Sequence, residues 1–217
     1  AVRVRRLSEG AAIELLDGKG ARAVAAIERI DRVGKDKHWS VLARIEAVDR
    51  EPRRSPRIEV CGSTPKGSHL EEMIDGLSQV GCDAWRPLIC DHTVVEPRQG
   101  KLDRLERIAR ESAKQCGRPW LLEIGEPISF QDAIGDERHC CVIAHADMRP
   151  ATGPLTPSPM GFRLLVGPEG GFSERELSLA TASGIPLVRL GPHIMRIEVA
   201  SVVGAAFLLD RAEPRER

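Results

Sequence analysis

Residues 164–176 read LLVGPEGGFSERE, a stretch in which an apolar run gives way to a glycine turn and then to a polar segment. The apolar residues at its start are typical of a strand buried on both faces. Gly170 and Gly171 lack a Cβ, so they permit positive φ and let a ligand lie against the backbone. Ser173 and Glu176 have the spacing of a capping box, which predicts that a helix begins there. The pattern fits either a tight turn or a ligand-binding loop.

The residues beside the two glycines argue against a phosphate as the ligand. A Walker loop needs a lysine directly after its glycines, and here Phe172 follows instead. The sequence also lacks the G-x-G-x-x-G pattern of dinucleotide-binding folds. Glu169 places a negative charge at the mouth of the turn, and this charge repels a phosphate. The turn therefore favours a neutral or cationic ligand.

A second sharp turn follows the next predicted strand, PLVRL at residues 186–190, where the chain continues as Gly191-Pro192. The carboxyl ends of parallel strands meet at one edge of a sheet, and open α/β sheets bind their ligands there. We therefore expect the loops at residues 167–171 and 190–196 to flank one cleft.

The remaining sequence predicts two domains. Residues 1–52 contain short apolar runs separated by an Asp17-Gly18 turn, which is typical of β-hairpins. Residues 51–57, EPRRSPR, have the composition of a connector. From residue 57 to residue 217, apolar strands alternate with helical stretches, which favours a mostly parallel sheet with helices on both faces. The expected fold class is α/β, preceded by a small β-domain.

Three predicted helices carry clear patterns. Residues 68–80 begin with Ser68 and Glu71 in capping-box spacing and are followed by Gly81. Residues 101–117 form an amphipathic helix. Its apolar face consists of Leu102, Leu105, Ile108, Ala109, Ala113 and Cys116. The last stretch, EVASVVGAAFLLDRA at residues 198–212, is apolar on nearly every side, so it must be buried in a core or between subunits.

Charge and composition limit the partners. The net charge is zero, but residues 1–57 contain 14 Lys and Arg against 9 Asp and Glu, which suits a polyanion-binding module or an ordinary solvated surface. No apolar run approaches the ~20 residues of a membrane span, and the start lacks a signal peptide, so we expect a cytoplasmic protein without a membrane partner. The six cysteines show no C-x-x-C pair and are interpreted as structural thiols, with no metal site.

Two motifs together resemble a known family. LLVGPEGGFSERE, followed by LGPHIMRIEVA at residues 190–200, is similar to the paired motifs of the SPOUT methyltransferases of the RsmE type. The upstream segments STPKGSHLEEMIDGLSQVG, PLICDHTVV and ESAKQCGR occur in that family's order and spacing. The resemblance covers nearly the whole chain. It implies methylation of N3 of a uridine in 16S ribosomal RNA, either as free RNA or in the assembled 30S subunit.

The resemblance also implies a fold and a cofactor. Residues 57–217 would form a SPOUT domain tied in a trefoil knot, and residues 1–52 a PUA-like β-barrel that lacks its first strand. The protein would be a homodimer that binds S-adenosylmethionine, whose sulfonium cation tolerates the nearby Glu169. The implied cofactor-binding residues are Leu165, Gly167, Glu169, Gly170, Gly171, Leu190, Gly191, Ile194, Met195 and Arg196.

Arg196 and Glu198 are the candidate catalytic residues. Uracil N3 carries a proton at neutral pH, so the reaction needs a base or a group that stabilises the resulting anion. We expect Arg196 to meet developing negative charge or the phosphate of the target nucleotide. The base is left open between Glu198 and Glu169, because Glu198 could instead only favour the start of a helix.

RNA recognition is expected to rest on shape and phosphate contacts. N3 lies on the Watson–Crick edge, so the target uridine must be splayed out. The chain has no Tyr and only 3% aromatic residues, which argues against a base-stacking platform. The candidate RNA contacts are Arg3, Arg5, Arg6, Arg22, Lys66, His92 and Arg118, with Lys35, Lys37, Arg53 and Arg54 in the same basic region.

Three residues depart from the family pattern. His92 and His193 stand where the family has arginines, and Val199 stands where a threonine is common. Loss of positive charge at the two histidines would weaken or retune RNA binding. Two alternatives therefore remain open: another SPOUT methyltransferase that acts on transfer RNA or on a ribose 2′-hydroxyl, and a non-catalytic RNA-binding protein on the same fold.

Overall fold

The computed structural model describes residues 7–33, 38–94, 99–146 and 155–212. The chain divides into two compact units. The amino-terminal unit comprises residues 1–53 together with residues 117–120, and the α/β unit comprises residues 54–116 and 121–217.

The amino-terminal unit contains a three-stranded antiparallel sheet in the order β1-β2-β3. Its strands are β1 (Ala12–Leu16), β2 (Ala21–Val33) and β3 (His38–Arg50). The carboxylate of Asp17 accepts hydrogen bonds from the backbone amides of Lys19 and Ala21 at 2.6 and 2.9 Å. These bonds close the turn between β1 and β2, because an Asp side chain can replace a backbone acceptor in a turn. The predicted hairpin is confirmed.

The α/β unit is built on a parallel sheet in the order β10-β8-β9-β4-β5-β6, with β7 also paired to β5. Its strands are β4 (Ile58–Gly62), β5 (Ala84–Ile89), β6 (Glu123–Ile124), β7 (Ile128–Ser129), β8 (Cys140–Ala144), β9 (Phe162–Val166) and β10 (Leu187–Val188). Every pairing between these strands is parallel. This confirms the mostly parallel sheet that the alternating sequence pattern predicted.

Helices cover both faces of the parallel sheet. They are α1 (His69–Val80), α2 (Gln99–Cys116), α3 (Phe130–Gly135), α4 (Glu174–Ala182) and α5 (Ile197–Ala212). Residues of α1, α2 and α5 share one apolar cluster with the sheet, and residues of α3 and α4 share a second cluster. Along β9, Leu164 belongs to the first cluster and Leu165 to the second, because successive strand residues point to opposite faces.

Some predictions about the helices were wrong. Ser68 makes no side-chain capping bond, because its own backbone is already helical, with φ −78° and ψ −15°. Glu71 instead forms an ion pair with Arg104 at 2.7 Å. Cys116 is exposed, because it lies in the last turn of α2, beyond Ala113, the last buried residue of that helix. The elements β6, β7 and α3 were not predicted, since segments this short show no periodicity.

The structure adds three further observations, on cysteines, metal-holding groups and membrane spans. Four cysteines are buried, namely Cys61, Cys82, Cys90 and Cys141. Within the described residues, no group of three or more His, Cys, Asp or Glu side chains could hold a metal ion. No helix in the described part of the chain is long and apolar enough to cross a membrane.

Candidate active site

A cavity of about 490 Å³ opens at the carboxyl end of the parallel sheet. It lies where β8, β9 and β10 end, and these strands are neighbours in the order β10-β8-β9. Its volume lies within the ~300–1,000 Å³ typical of small-molecule sites. The lining residues are 144–146, 166–172, 189–191, 193–197 and Ala200. The two loops that the sequence marked with glycines therefore flank one cavity, as predicted.

The two adjacent glycines of the first loop are needed for different reasons. Gly171 has a φ of +71°, which side-chain-bearing residues rarely adopt, and nothing lies within 4 Å of the place where its Cβ would stand. Gly170 does not have a positive φ, so the expectation of positive φ holds for Gly171 alone. A Cβ at Gly170 would stand 3.3 Å from Cβ of His92. The absence of a side chain at Gly170 therefore makes room for His92.

An aromatic pair anchors the first loop to the core. A Cβ at Gly167 would stand 3.0 Å from Cε2 of Phe172, so the loop and this ring are in close contact. The ring centroids of Phe172 and Phe130 are 5.4 Å apart with the planes tilted by 55°. This separation and tilt are typical of a favourable aromatic contact. The cavity wall is thus continuous with the second apolar cluster.

Arg189 shapes the second loop. Its Nε donates a hydrogen bond to the carbonyl oxygen of Gly191 at 2.9 Å, and its Nη2 donates to that of Pro192 at 2.6 Å. The rigid fork of a guanidinium suits two acceptors at fixed spacing. Ile194 follows in the same loop and is 85% exposed. A large apolar side chain held at the open cavity is suited to cover an apolar part of a ligand.

A capping box fixes the start of α4, directly after the first loop. Ser173 Oγ accepts a hydrogen bond from the amide of Glu176 at 3.2 Å, and Glu176 Oε2 accepts one from the amide of Ser173 at 2.8 Å. This box, predicted from the spacing, is confirmed. Glu176 is buried, and its carboxylate accepts a second hydrogen bond, at Oε1, from the amide of Asp91 at 3.0 Å. The loop after β5 is therefore tied to the start of α4.

Charged side chains of both signs line the cavity. Glu169 lies on the first loop, Arg196 on the second, and both are exposed. Neither of these two side chains has an ion-pair partner among the residues that the structure describes. A carboxylate favours a nearby cation, and a guanidinium favours developing negative charge. The cavity is therefore suited to a ligand that carries positive charge and to a reaction that generates an anion.

The structure brings together nine of the ten predicted cofactor-binding residues. These nine cavity-lining residues are Gly167, Glu169, Gly170, Gly171, Leu190, Gly191, Ile194, Met195 and Arg196. Leu165 differs, because it is fully buried in the second apolar cluster. Val166 lines the cavity instead.

Glu198, one of the two predicted catalytic residues, is not among the residues that line the cavity. Its side chain is 13% exposed, and its Oε1 lies 3.7 Å from Nδ1 of His69 at the start of α1. This pair connects α5 with α1. Arg196, the other predicted catalytic residue, lines the cavity, as does Glu169. The geometry therefore favours Glu169 over Glu198 as the carboxylate that faces a ligand.

Several cavity-lining residues were missed by the sequence analysis. Ala144 ends β8 and His145 and Ala146 follow it, and the segment CCVIAHA has no glycine turn to mark its end. They reach the cavity because β8 lies between β9 and β10 in the sheet. Phe172 and Arg189 were also missed, although each stands within two residues of a predicted glycine.

The predicted RNA-binding residues occupy different parts of the molecule. Arg22 and Arg118 belong to the amino-terminal unit, and Lys66 and His92 to the α/β unit. Arg22 is engaged internally, because its Nη1 pairs with Glu14 and its Nη2 donates to a backbone carbonyl at 2.6 Å. Lys66 is exposed in the loop after β4, and His92 is exposed in the loop after β5.

The other predicted RNA contacts lie outside the described residues or in the connector between the two predicted domains. Arg3, Arg5, Arg6, Lys35 and Lys37 lie outside the described residues. Of the two connector arginines, Arg53 has its guanidinium 4.9 Å above the ring of Trp120.

Two family models match this chain, one in each of its parts. The model for the RNA methyltransferase domain matches residues 53–209, and the model for the RNA methyltransferase PUA domain matches residues 1–33. The parallel sheet carries a cavity between glycine-marked loops, and an antiparallel PUA-like sheet precedes it. This combination defines an RNA methyltransferase of the SPOUT class.

Individual relatives specify the family within this class. The ribosomal RNA small subunit methyltransferase E of Synechocystis sp. is 31% identical over 211 residues, which cover 94% of this chain and 67% of the relative. The crystal structure of a probable rRNA-methyltransferase from Porphyromonas gingivalis matches with a TM-score of 0.84 at 26% identity, covering 97% of this chain and 89% of that one. A methyltransferase structure from Legionella pneumophila, in complex with the bound cofactor SAM, matches with a TM-score of 0.81 at 27% identity and coverage of 96% and 86%. The chain belongs to the family of ribosomal RNA small subunit methyltransferase E.

Proposed function

We propose that this protein transfers a methyl group from S-adenosylmethionine to N3 of a specific uridine in 16S ribosomal RNA. The observation that carries the proposal is the single cavity of about 490 Å³ formed by both glycine-marked loops. Membership of the small subunit methyltransferase E family supports ribosomal RNA as the substrate class. Relatives with that name align with this chain over most of its length.

The residues of the cavity fit S-adenosylmethionine. Loops that contain Gly170, Gly171 and Gly191 leave backbone groups open to the polar edges of an adenine, and Ile194 and Met195 offer apolar walls. Glu169 offers negative charge to a sulfonium, whereas it would repel the phosphates of a nucleotide cofactor. When bound, S-adenosylmethionine supplies an activated methyl group for an in-line displacement.

The side chains of the cavity can manage the proton and the charge that the reaction involves. Uracil N3 must lose its proton, and the anion then spreads onto the uracil oxygens. Arg196, exposed at the cavity, is placed to stabilise this negative charge. Among the described residues, Glu169 is the carboxylate that lines the cavity, and we propose it as the group that accepts the N3 proton. Most of the catalysis then comes from holding donor and acceptor in line.

The RNA substrate is proposed to be 16S ribosomal RNA, free or assembled in the 30S subunit. Lys66 is exposed in the loop after β4, so it lies at the same carboxyl end of the sheet as the cavity. An exposed basic group there suits contacts to the phosphates that flank a splayed uridine. The cytoplasmic location stays a prediction.

A homodimer and a trefoil knot are further proposals. Val199 on α5 is 45% exposed, and Ile194, five positions earlier, is 85% exposed, so these apolar side chains are suited to be covered by a second copy. Val199→Glu should therefore convert a dimer into a monomer, as measured by light scattering. The domain boundaries at 1–52 and 57–217 and the knot are proposed from the family resemblance.

Two measurements test the proposed function. Titration calorimetry with S-adenosylmethionine should give saturable binding, and no binding at high micromolar cofactor would instead favour a non-catalytic RNA-binding protein. Incubation with cofactor and 30S subunits that lack the modification should produce N3-methyluridine at one position of 16S RNA, detected by mass mapping of nucleosides. Methylation of transfer RNA or of a ribose 2′-oxygen instead would assign the protein to another SPOUT activity.

A further inference from the structure

His92 makes two contacts with the glycine turn of the first loop. Its Nδ1 lies 3.1 Å from the carbonyl oxygen of Gly171, a residue 79 positions later in the chain. Its Cβ stands 3.3 Å from the place where a Cβ of Gly170 would be. Because a carbonyl oxygen only accepts hydrogen bonds, Nδ1 carries the proton in this contact. The ring therefore packs on Gly170 and holds the peptide of Gly171.

The loop that carries His92 is itself firmly held. The carboxylate of Asp91 accepts hydrogen bonds from Nη2 of Arg175 at 2.6 Å and from Oγ of Ser173 at 2.6 Å. The hydrogen bond from Arg175, followed by that from Ser173, lowers the pKa of Asp91 because both bonds stabilise the charged carboxylate. Within the loop, the amide of Cys90 donates to Oγ1 of Thr93 at 2.7 Å. His92 thus projects from a loop that is fixed to the start of α4.

We propose that His92 is a positioning residue of the cofactor site, which holds the glycine turn in the conformation that lines the cavity. Gly171 needs support because its left-handed backbone is less restrained than that of a residue with a side chain. A hydrogen bond to its carbonyl fixes the orientation of the peptide that follows it. Through this bond, the loop after β5 and the cofactor cavity are coupled. The inference rests on the proposed function of the cavity.

This role differs from the phosphate contact that the sequence suggested for His92. A phosphate contact would change RNA affinity and leave cofactor affinity intact. A positioning role changes cofactor affinity in the absence of RNA, because the bond from Nδ1 to Gly171 lies within the protein. The two roles are therefore separable by measuring both affinities in the same variants.

The test compares three substitutions at His92 in the full chain by titration calorimetry with S-adenosylmethionine alone. His92→Ala should weaken cofactor binding by about fivefold, which is the worth of one net hydrogen bond. His92→Asn should keep binding within about twofold of the wild type, because its amide nitrogen can occupy the position of Nδ1. His92→Gln should weaken cofactor binding as much as His92→Ala does. The amide nitrogen of Gln corresponds to Nε2 of His, so it does not occupy the position from which Nδ1 donates to Gly171.

The control is Lys66→Ala, an exposed residue in the loop after β4 that should alter RNA affinity and not cofactor affinity. In steady-state assays with 30S subunits, His92→Ala should raise KM for the cofactor and leave kcat at saturating cofactor nearly unchanged. If His92→Ala fails to fold, the contrast between Asn and Gln decides, since both keep a polar side chain. Equal cofactor affinity in all His92 variants, or a loss confined to RNA affinity, would overturn the inference. Failure of the wild type to bind the cofactor would count against the proposed function itself.

Discussion

Charged residues lie at both ends of the parallel sheet. At the amino end they pair with one another, whereas at the carboxyl end they line a cavity. At the amino end, where β4, β5, β8 and β9 begin, a cleft of about 210 Å³ is lined by four arginines together with Glu59, Glu123, Asp136 and His139. Arg163 is 2% exposed there, forms ion pairs with Glu59 and Asp136, and donates to the carbonyl oxygen of Ala133 at 3.0 Å. At this end, charged side chains satisfy one another.

The carboxyl end is built from backbone turns instead. Arg189 donates to two carbonyl oxygens of the second loop, and His92 contacts the carbonyl oxygen of the first. Glu169 and Arg196 line a cavity more than twice the volume of the amino-end cleft. A cluster of charged residues therefore marks a ligand site only where the charges are not already neutralised by one another.

The pKa values at the amino end agree with this interpretation. The hydrogen bond from Arg138, with the charge of Arg163, holds the pKa of Asp136 well below its ordinary value of 3.8. Burial, together with the charge of Arg163, lowers the pKa of His139. A depressed carboxyl pKa contributes stability at pH values above 3.8, and this contribution is lost as the pH falls below that value. The amino-end cluster is therefore a stabilising network at neutral pH.

Arg163→Met tests whether the paired charges at the amino end stabilise the fold, because it keeps a similar side-chain volume and removes the charge. We expect the free energy of unfolding to fall by about 3–5 kcal/mol, because two largely buried carboxylates each lose a buried guanidinium partner. Chemical denaturation measures this change. Arg138→Ala is the control, since Arg138 pairs with the same Asp136 but is 72% exposed, and it should cost at most about 1 kcal/mol. A loss below about 1 kcal/mol for Arg163→Met would contradict the assignment of the amino end to stability.

At the carboxyl end, Gly171→Ala should affect both stability and cofactor binding. Forcing an alanine into a left-handed conformation costs about 1–2 kcal/mol. If the turn shifts to relieve this strain, affinity for S-adenosylmethionine should fall about tenfold, which corresponds to ~1.4 kcal/mol. Gly184→Ala is a matched control with φ +68° and equally open surroundings, away from the cavity. It should lose similar stability and keep cofactor affinity; parallel losses in both variants would disprove a specific role for the turn.

A smaller effect is expected at the two predicted capping boxes. Ser173→Ala removes a side chain that accepts from Glu176 and donates to Asp91, so it should destabilise the protein by about 1 kcal/mol. Ser68→Ala should have almost no effect on the thermal unfolding midpoint, because Ser68 makes no side-chain capping bond. A similar decrease for both variants would mean that the hydrogen bonds of the Ser173 box do not stabilise α4.

The smallest effect concerns the thiols, which should behave alike at both ends. Burial raises the pKa of Cys90, at the carboxyl end, and of Cys141, near the amino end, to about 12. Both should therefore resist a thiol reagent at pH 8, while the exposed Cys116 reacts at once. Because these pKa values are raised above the ordinary 9.0, their contribution to stability is complete below pH 9 and declines as the pH rises toward 12. Mass spectrometry after labelling reports which cysteines react.

The fold was largely predictable because its signals are local. Apolar runs such as residues 162–166 and the amphipathic pattern of α2 appear directly in the sequence, and the Ser173 box was visible as a spacing of three. The Ser68 box shares that spacing but does not form, because the backbone conformation of the first residue decides whether the side chain can reach the amide. Very short strands such as β6 and β7 carry too few residues to show a period.

By itself, the sequence determined the order of the strands and helices other than β6, β7 and α3, the two glycine-marked loops and the residue types that exclude a phosphate ligand. Only the tertiary structure decided that these loops share one cavity with the end of β8, that Val166 rather than Leu165 faces it, and that Glu198 pairs with His69 away from it. The contact from His92 to Gly171 is of the same kind. The physical reason is that local sequence patterns determine backbone dihedral angles and which face of an element is buried. Contacts between residues distant in the chain depend instead on which strands are neighbours in the sheet.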